Sequence, residues 1–220
     1  MNTRTLLLLA TVSTVGMVSA ISQTPVYSVN IVGYINHTIP HGPSTLANQL
    51  IATPNNTIAH LLGSPLGAMT VFKFNAATAN YEQAFFDPDV GVWDNTTMVL
   101  NPGQGAFIDN SGPPYPVTLV GEVQLVSTVS IQPGFDAYSS VIPRSGPLDT
   151  MNFPGTLELC GAITVFRFNG TGYTQYFNDP DSGGWQPPNG VPSVEIAEAF
   201  YIDNSCLSPV AWHQDFPVGP

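Results

Sequence analysis

The sequence repeats itself once, and this repeat limits the possible folds more than any other feature. The matched blocks keep their order along the chain, at offsets of 94, 92 and 94 residues. Loops accept insertions and deletions, so small changes of offset are typical of a duplicated domain. A period of this length exceeds the repeat of a solenoid and suits a small domain. The matched blocks are 70–75 (TVFKFN) with 164–169 (TVFRFN), 87–93 (DPDVGVW) with 179–185 (DPDSGGW), and 107–111 (FIDNS) with 201–205 (YIDNS).

Each copy has the pattern of an all-β domain. Short runs of β-branched and aromatic residues, such as 70–74 and 117–120, alternate with turn residues, and the chain holds 20 glycines and 21 prolines. Such punctuation favours many short strands over helices. One helical turn is predicted at 57–62, with Asn55 and Asn56 as cap candidates. We therefore predict two tandem β-sandwich or small-barrel domains, over residues 29–121 and 122–220.

The first twenty residues are typical of a secretory signal peptide. Arg4 precedes an apolar stretch, residues 6–18, and small residues at 18 and 20 suit a signal peptidase. The apolar stretch is shorter than the roughly 20 residues of a membrane span. We predict removal of residues 1–20, a secreted chain and no membrane span.

The charge of the chain excludes some partners. The net charge is −11, and only 9% of the residues are charged. Nucleic acid and anionic lipid surfaces attract basic proteins, so we do not expect either as a partner. A surface with so few charges suits an exported protein whose faces are covered by neighbouring subunits.

The repeated Asp-Pro-Asp-x-Gly-x-Trp block is the one pattern that suggests a metal. Asp87 with Asp89, and Asp179 with Asp181, place alternate carboxylates before a glycine, as at the start of a calcium loop. Neither copy supplies the distant glutamate of such a loop, so a turn between strands is the alternative. Calcium is therefore the one cofactor that the sequence suggests, and otherwise we predict none.

Other candidate sites are few. The motif Asn-x-Ser/Thr makes Asn36, Asn55, Asn95 and Asn169 possible glycosylation sites. No nucleophile-elbow or phosphate-loop pattern occurs, and we expect no enzymatic activity. Glu195 and Glu198 could form a carboxylate pair, but the first copy has amides at those places.

The two cysteines are predicted to form a disulfide within the second domain. Export places the chain in an oxidising compartment, where an even number of cysteines favours pairing. Cys160 precedes one predicted strand and Cys206 follows another, while the first copy has Leu66 and Gly112 there.

The chain from residue 29 onward resembles a set of uncharacterised secreted bacterial proteins with tandem β repeats. The segments that carry this resemblance are 32–34 (VGY), 46–49 (LANQ), 70–75 and 105–109 (GAFID). The architecture is also similar to protomers of environmental extracellular fibrils built from two tandem β-sandwich domains. These resemblances imply an extracellular β-protein and no particular activity.

Two functions are open at this point. In the first, the protein is the subunit of an extracellular filament, a helical homopolymer that assembles head to tail. Residues 21–32 would then add as a strand to the second domain of a neighbour, because the aligned copies place 26–28 opposite 118–120. The assembly strand comprises Val26, Tyr27, Ser28, Val29, Asn30 and Ile31. In the second, the protein is a secreted carbohydrate- or surface-binding module, with Trp93, Trp185 and Trp212 as a stacking platform.

Overall fold

The computed structural model describes residues 31–155 and 158–216. These residues belong to one compact unit with sixteen strands, and the sheets are antiparallel. The all-β prediction is confirmed, in a β-sandwich-like form. None of the described sheets closes into a barrel, so the small-barrel alternative is not adopted. The predicted signal peptide and residues 21–30 of the assembly strand lie outside the described residues.

The first copy contains a five-stranded sheet and a two-stranded ribbon. The sheet has the order β2-β6-β3-β4-β5, and the ribbon pairs β1 with β7. The elements are β1 (Val32–Ile39), β2 (Gly42–Ala47), α1 (Ile58–Leu62), β3 (Met69–Asn75), β4 (Asn80–Asp87), β5 (Val92–Trp93), β6 (Gly105–Asn110) and β7 (Tyr115–Glu122).

The second copy repeats this topology. Its five-stranded sheet has the order β9-β15-β11-β12-β13, which matches the first sheet strand for strand, and its ribbon pairs β8 with β16. The 3-10 helix Leu148–Met151 stands in the place of α1, and the short pair β10 and β14 in the place of the bridge between Thr57 and Val99. A second 3-10 helix, Pro180–Ser182, lies in the repeated Asp-Pro-Asp turn. The strands are β8 (Val126–Ile131), β9 (Gly134–Tyr138), β10 (Gly146–Pro147), β11 (Ile163–Phe168), β12 (Tyr173–Asp179), β13 (Gly184–Trp185), β14 (Ser193–Val194), β15 (Phe200–Asn204) and β16 (Val210–Asp215).

Buried and half-buried side chains alternate along the strands, and this alternation explains why each copy has its own core. In β3, Met69 and Val71 are fully buried in the first core, while Phe72 and Phe74 lie on the opposite face. Successive side chains of a strand point to opposite faces, so one strand serves both surfaces. The equivalent strand β11 buries its alternate residues in a second core that includes Trp212.

The repeated Asp-Asn-Ser block has a structural role at the end of β6 and β15. The Asn110 amide nitrogen donates to the carbonyl oxygens of Pro40 and Pro113, both at 3.0 Å, and its oxygen accepts from the Gly112 N–H. Asn204 repeats two of these three contacts in the second copy, since it donates to the Ile131 carbonyl oxygen at 3.1 Å and accepts from the Cys206 N–H. Buried amides need such partners, so the motif fastens the loop after each strand to the neighbouring connection.

The loops beside these asparagines are closed differently in the two copies. In the second copy Cys160 and Cys206 form the predicted disulfide, with their Cα atoms 5.4 Å apart. In the first copy Gly67 and Gly112 meet backbone to backbone, and a Cβ on Gly67 would lie 2.5 Å from the Gly112 Cα. In the first copy, backbone packing of two glycines thus stands where the second copy has its disulfide.

The predicted helical turn is present, but its cap differs from the prediction. Thr57 caps α1, because its hydroxyl accepts from the His60 N–H at 3.3 Å. Asn55, a predicted cap, instead binds the Thr57 N–H and hydroxyl. A threonine at the N-cap leaves the asparagine two residues earlier to order the preceding loop.

Candidate functional site

The two copies contact each other through reciprocal backbone hydrogen bonds. The Ala47 N–H donates to the Ala197 carbonyl oxygen at 2.8 Å, and the Ser139 N–H donates to the Gly103 carbonyl oxygen at 3.0 Å. Ala47 and Ser139 occupy equivalent positions at the ends of β2 and β9, as do Gly103 and Ala197 in the turns before β6 and β15. Such reciprocity is the property of a two-fold interface. The copies are thus arranged like the subunits of a symmetric dimer.

A cation supports each of these interface turns. The Lys73 ammonium donates to Gln104 Oε1 and to the Val99 carbonyl oxygen, both at 2.9 Å. At the equivalent place Arg167 donates two hydrogen bonds of 2.8 Å to the Glu198 carboxylate. Glu195 and Glu198 therefore do not form a free carboxylate pair. Glu198 is engaged by Arg167 and by the N–H of residue 195.

A groove of about 490 Å³ lies beside the first of these turns. Its walls come from β8, from β9 and from residues 102–105 of the first copy. Lys73, Asp136 and Tyr138 are among its lining residues, together with Thr128 and Ser130 of β8. The groove thus runs between the edge of the ribbon and the edge of the five-stranded sheet in the second copy.

The backbone of β8 faces this groove with groups that no strand pairs, although the Ser130 carbonyl oxygen accepts from the Gln132 side chain at 3.4 Å. The Phe216 N–H donates to the Leu125 carbonyl oxygen at 2.7 Å, so that pair is hydrogen-bonded. Bonded and non-bonded pairs alternate along an antiparallel ladder, so Val126, Thr128 and Ser130 direct their N–H and C=O groups away from β16. Within residues 31–155 and 158–216, β16 is the only strand that pairs with β8.

Burial perturbs the ionisable groups of the groove. Burial lowers the pKa of Lys73, against the opposing charges of Glu82 and Asp136. Burial likewise raises the pKa of the Asp136 carboxyl, although a hydrogen bond from the Ala137 N–H and the charge of Lys73 act in the other direction. The pKa of Tyr138 is raised to about 12, chiefly by burial. Its hydroxyl accepts from the Gln132 N–H.

The aspartates of the repeated loops lie in separate turns. Asp87 Oδ1 accepts from the Asp89 N–H at 2.9 Å, and Asp179 Oδ1 accepts from the Asp181 N–H at 3.0 Å. This is the hydrogen bond of an Asx-turn, as expected if the block is a turn between strands and not the start of a calcium loop. Within the described part of the chain, no group of three or more His, Cys, Asp or Glu residues is positioned to hold a metal ion.

The predicted glycosylation residues lie in β1 and in three loops. Asn36, Asn55 and Asn169 are exposed, and Asn95 is half-buried. Asn95 donates its amide to Glu82 and to the Gln83 carbonyl. A glycan attached to the Asn95 amide nitrogen would therefore disturb these two hydrogen bonds. The amide nitrogen of Asn169 donates only one, to the Thr174 hydroxyl at 3.4 Å.

The tryptophans do not form a surface platform. Trp212 is fully buried and donates to the Met151 carbonyl oxygen at 2.8 Å. Trp93 is buried and donates to the Gly63 carbonyl oxygen at 2.7 Å. Trp185 is half-buried against Phe153. These rings therefore pack in or against the cores of the two copies, and they do not present a platform on which a sugar could stack.

The groove residues match no motif in the sequence. One signal was present: Lys73 and Arg167 are two of only four cations in the chain, and they occupy the same position of the repeated block. Asp136 and Tyr138 lie outside the matched blocks and carried no such signal.

Comparison of the chain with protein-family models, with curated protein sequences and with solved structures found no match. Among the described residues, no helix is long and apolar enough to cross a bilayer.

Proposed function

We propose that the protein is secreted and is the subunit of an extracellular filament that assembles head to tail by strand addition. The observation that carries this proposal is the open edge of β8 beside the groove of the second copy. Residues 21–30 of a neighbouring subunit would add to this edge and fill the groove. The resemblance to tandem β-sandwich protomers of extracellular fibrils supports the same function.

The edge of β8 lacks the usual protection against strand addition. Natural edge strands are guarded by lysine, proline, bulges or inward-facing charges. Residues 126–131 (VSTVSI) include no charged residue and no proline, and Val126 is 76% exposed. In the first copy β7 carries Pro116 at a position that faces away from its partner, where a proline blocks addition. Its partner β1, the equivalent of β8, has no proline and no carboxylate, lysine or arginine either. The groove therefore distinguishes β8 from β1.

The described end of the predicted donor strand limits which residues could be donated. The Ile31 carbonyl oxygen accepts from the Val123 N–H at 2.8 Å, and the Ile31 side chain packs against the first core. Val32 begins β1 and pairs with β7. Ile31 and Val32 are thus held by their own subunit, so the proposal assigns donation to residues 21–30.

The acceptor can be tested by placing a proline at the edge. Thr128→Pro removes an N–H that faces the groove and leaves the ladder to β16 intact, because Thr128 stands in a non-bonded pair. Asn36 is the equivalent position in β1, and each side chain makes one cross-strand hydrogen bond of 2.8 Å. Asn36→Pro is therefore a matched control in the first copy.

Electron microscopy of the secreted chain and of these variants gives the result. The secreted chain and Asn36→Pro should form filaments, while Thr128→Pro and a chain that begins at Ile31 should remain as particles. Addition of a peptide with the sequence of residues 21–30 should cap the groove and shorten the filaments. If the secreted chain forms none, or if the shortened chain still polymerises, the proposal is wrong.

The carbohydrate-binding alternative is not supported by the tryptophans on which it rested. A stacking platform needs exposed aromatic faces, and Trp93 and Trp212 are buried. The filament is accordingly the function that we propose.

A further inference from the structure

Five aromatic rings from both copies line a second cavity of about 280 Å³. Phe72, Tyr81 and Phe107 come from the first sheet, and Tyr173 and Tyr201 from the second. No residue of this set lines the groove beside β8, so the two cavities are separate. We call this second cavity the aromatic cleft. It offers a binding site that strand addition does not use.

The rings are held in place by each other. Phe72 meets Tyr81 edge to face, with centroids 6.5 Å apart, and Tyr173 meets Tyr201 edge to face at 5.7 Å. Tyr201 is only 2% exposed, so its ring has little room to move. Rings fixed in this way lose little conformational freedom when a ligand arrives, which favours binding.

The mouth of the cleft is formed by two equivalent tyrosines. Tyr81 and Tyr173 occupy the same position in the two copies and are 52% and 46% exposed. The sheets thus leave two large aromatic surfaces open to solvent at the pseudo-two-fold axis. Exposed aromatic surface that both copies retain in the same place is more than a remnant of core packing.

The charges around the cleft favour a cation. The lining contains no charged side chain, and the whole chain has a net charge of −11. Exposed Asp109 and Asp203 follow Phe107 and Tyr201 by two residues, on the same strand faces. A negative field of this kind concentrates cations and repels anions.

We propose that the aromatic cleft binds an organic ammonium cation, with Tyr81 and Tyr173 against its alkyl groups. The faces of aromatic rings carry partial negative charge and attract quaternary ammonium groups. A sugar fits the cleft less well, because its many hydroxyls need several hydrogen-bond partners and the only polar side-chain groups of the lining are three tyrosine hydroxyls. A fatty acid or another anion would be repelled by the negative field.

The proposal is tested with choline and its neutral isostere, 3,3-dimethylbutan-1-ol, which differ by one charge at constant shape. Proton NMR of the mature chain, at fixed low ionic strength, follows the methyl signals of each compound. Choline should bind saturably, at least about tenfold more tightly than the alcohol, with its methyl signal shifted by the rings. Loss of one ring by Tyr173→Ala or Tyr81→Ala should weaken binding between about twofold and about thirtyfold.

Two control variants separate the ring from other effects. Tyr173→Phe keeps the ring and should bind choline as the unchanged protein does. Tyr34→Ala removes a tyrosine that is 69% exposed in β1, outside the cleft, and should have no effect. The proposal fails if choline does not saturate, if the alcohol binds equally well, or if Tyr81→Ala and Tyr34→Ala behave alike. Saturable binding of cellohexaose without binding of choline would identify a sugar site instead.

Discussion

Gly105 offers a sharp test of the interface between the copies. A Cβ built on Gly105 would lie 2.6 Å from the Cβ of Ala199 and 3.0 Å from the Tyr138 carbonyl oxygen. Gly105 and Ala199 are equivalent residues, so the pair has room for one methyl group but not for two. Gly105→Ala should therefore force the sheets apart and lower the free energy of unfolding by about 1–3 kcal/mol.

The reverse change gives the second side of a double-mutant cycle. Ala199→Gly removes a buried methyl group worth about 0.8 kcal/mol and adds a glycine cost of about 0.5–1 kcal/mol in a strand. If the sites were independent, the double variant would lose the sum of both effects. Because Ala199→Gly removes the methyl group that the new side chain of Gly105→Ala would meet, the double variant should lose clearly less stability than this sum. The remaining loss beyond Ala199→Gly alone comes from the Tyr138 carbonyl oxygen, which still lies 3.0 Å from the new Cβ.

Urea unfolding, followed by fluorescence, measures the four proteins of this cycle. A matched control is Gly172→Ala, where nothing lies within 4 Å of the added Cβ, and it should change stability by less than about 0.5 kcal/mol. Two results would refute the reasoning: Gly105→Ala without a loss of stability, or a double variant whose loss is additive. Either would mean that the copies do not touch at this pair.

Three further predictions concern bonds and charges within the copies. Replacing Cys160 and Cys206 by serine should lower the unfolding free energy by about 3–4 kcal/mol in calorimetry, since the bond closes a loop of 46 residues. Excess chelator should leave the melting temperature unchanged if Asp87 and Asp179 only cap their turns, whereas a drop would reveal bound calcium. Burial raises the pKa of Asp136 in the folded chain, so its contribution to stability is present at low pH and is lost as the pH rises through that raised pKa. Asp136→Asn should therefore gain stability relative to the unchanged protein between pH 3 and pH 7, and a constant difference in melting temperature would contradict this.

The repeat made the strands of each copy predictable. Residues 70–75 and 164–169 were expected as strands, and β3 and β11 occupy these places. Their alternation of buried and half-buried residues is a local property, which sequence patterns report well. The cystine could also be predicted, since only two cysteines were present and both stood at strand ends.

The contact between the copies could not be predicted in the same way. It depends on small residues and backbone groups, such as Ala47 with Ala197 and Ser139 with Gly103, which carry no recognisable motif. The open edge of β8 could not be predicted either, because a strand is an edge strand only if no other strand pairs with that side, and its own sequence does not report this. The sequence suggested a donor strand, but its last residues, Ile31 and Val32, are bound within their own chain.

The reciprocal hydrogen bonds between the copies raise the question of whether the two ends of the molecule are distinguishable. A dimer of identical subunits with a two-fold axis has no front or back, because the axis exchanges its ends. Joining the two subunits in one chain lets each copy change alone. Here the interface turns already differ, since Lys73 meets an uncharged Gln104 on one side while Arg167 meets the charged Glu198 on the other. A covalent duplicate of this kind has two distinguishable ends, which an oriented chain of subunits requires and a symmetric dimer cannot supply.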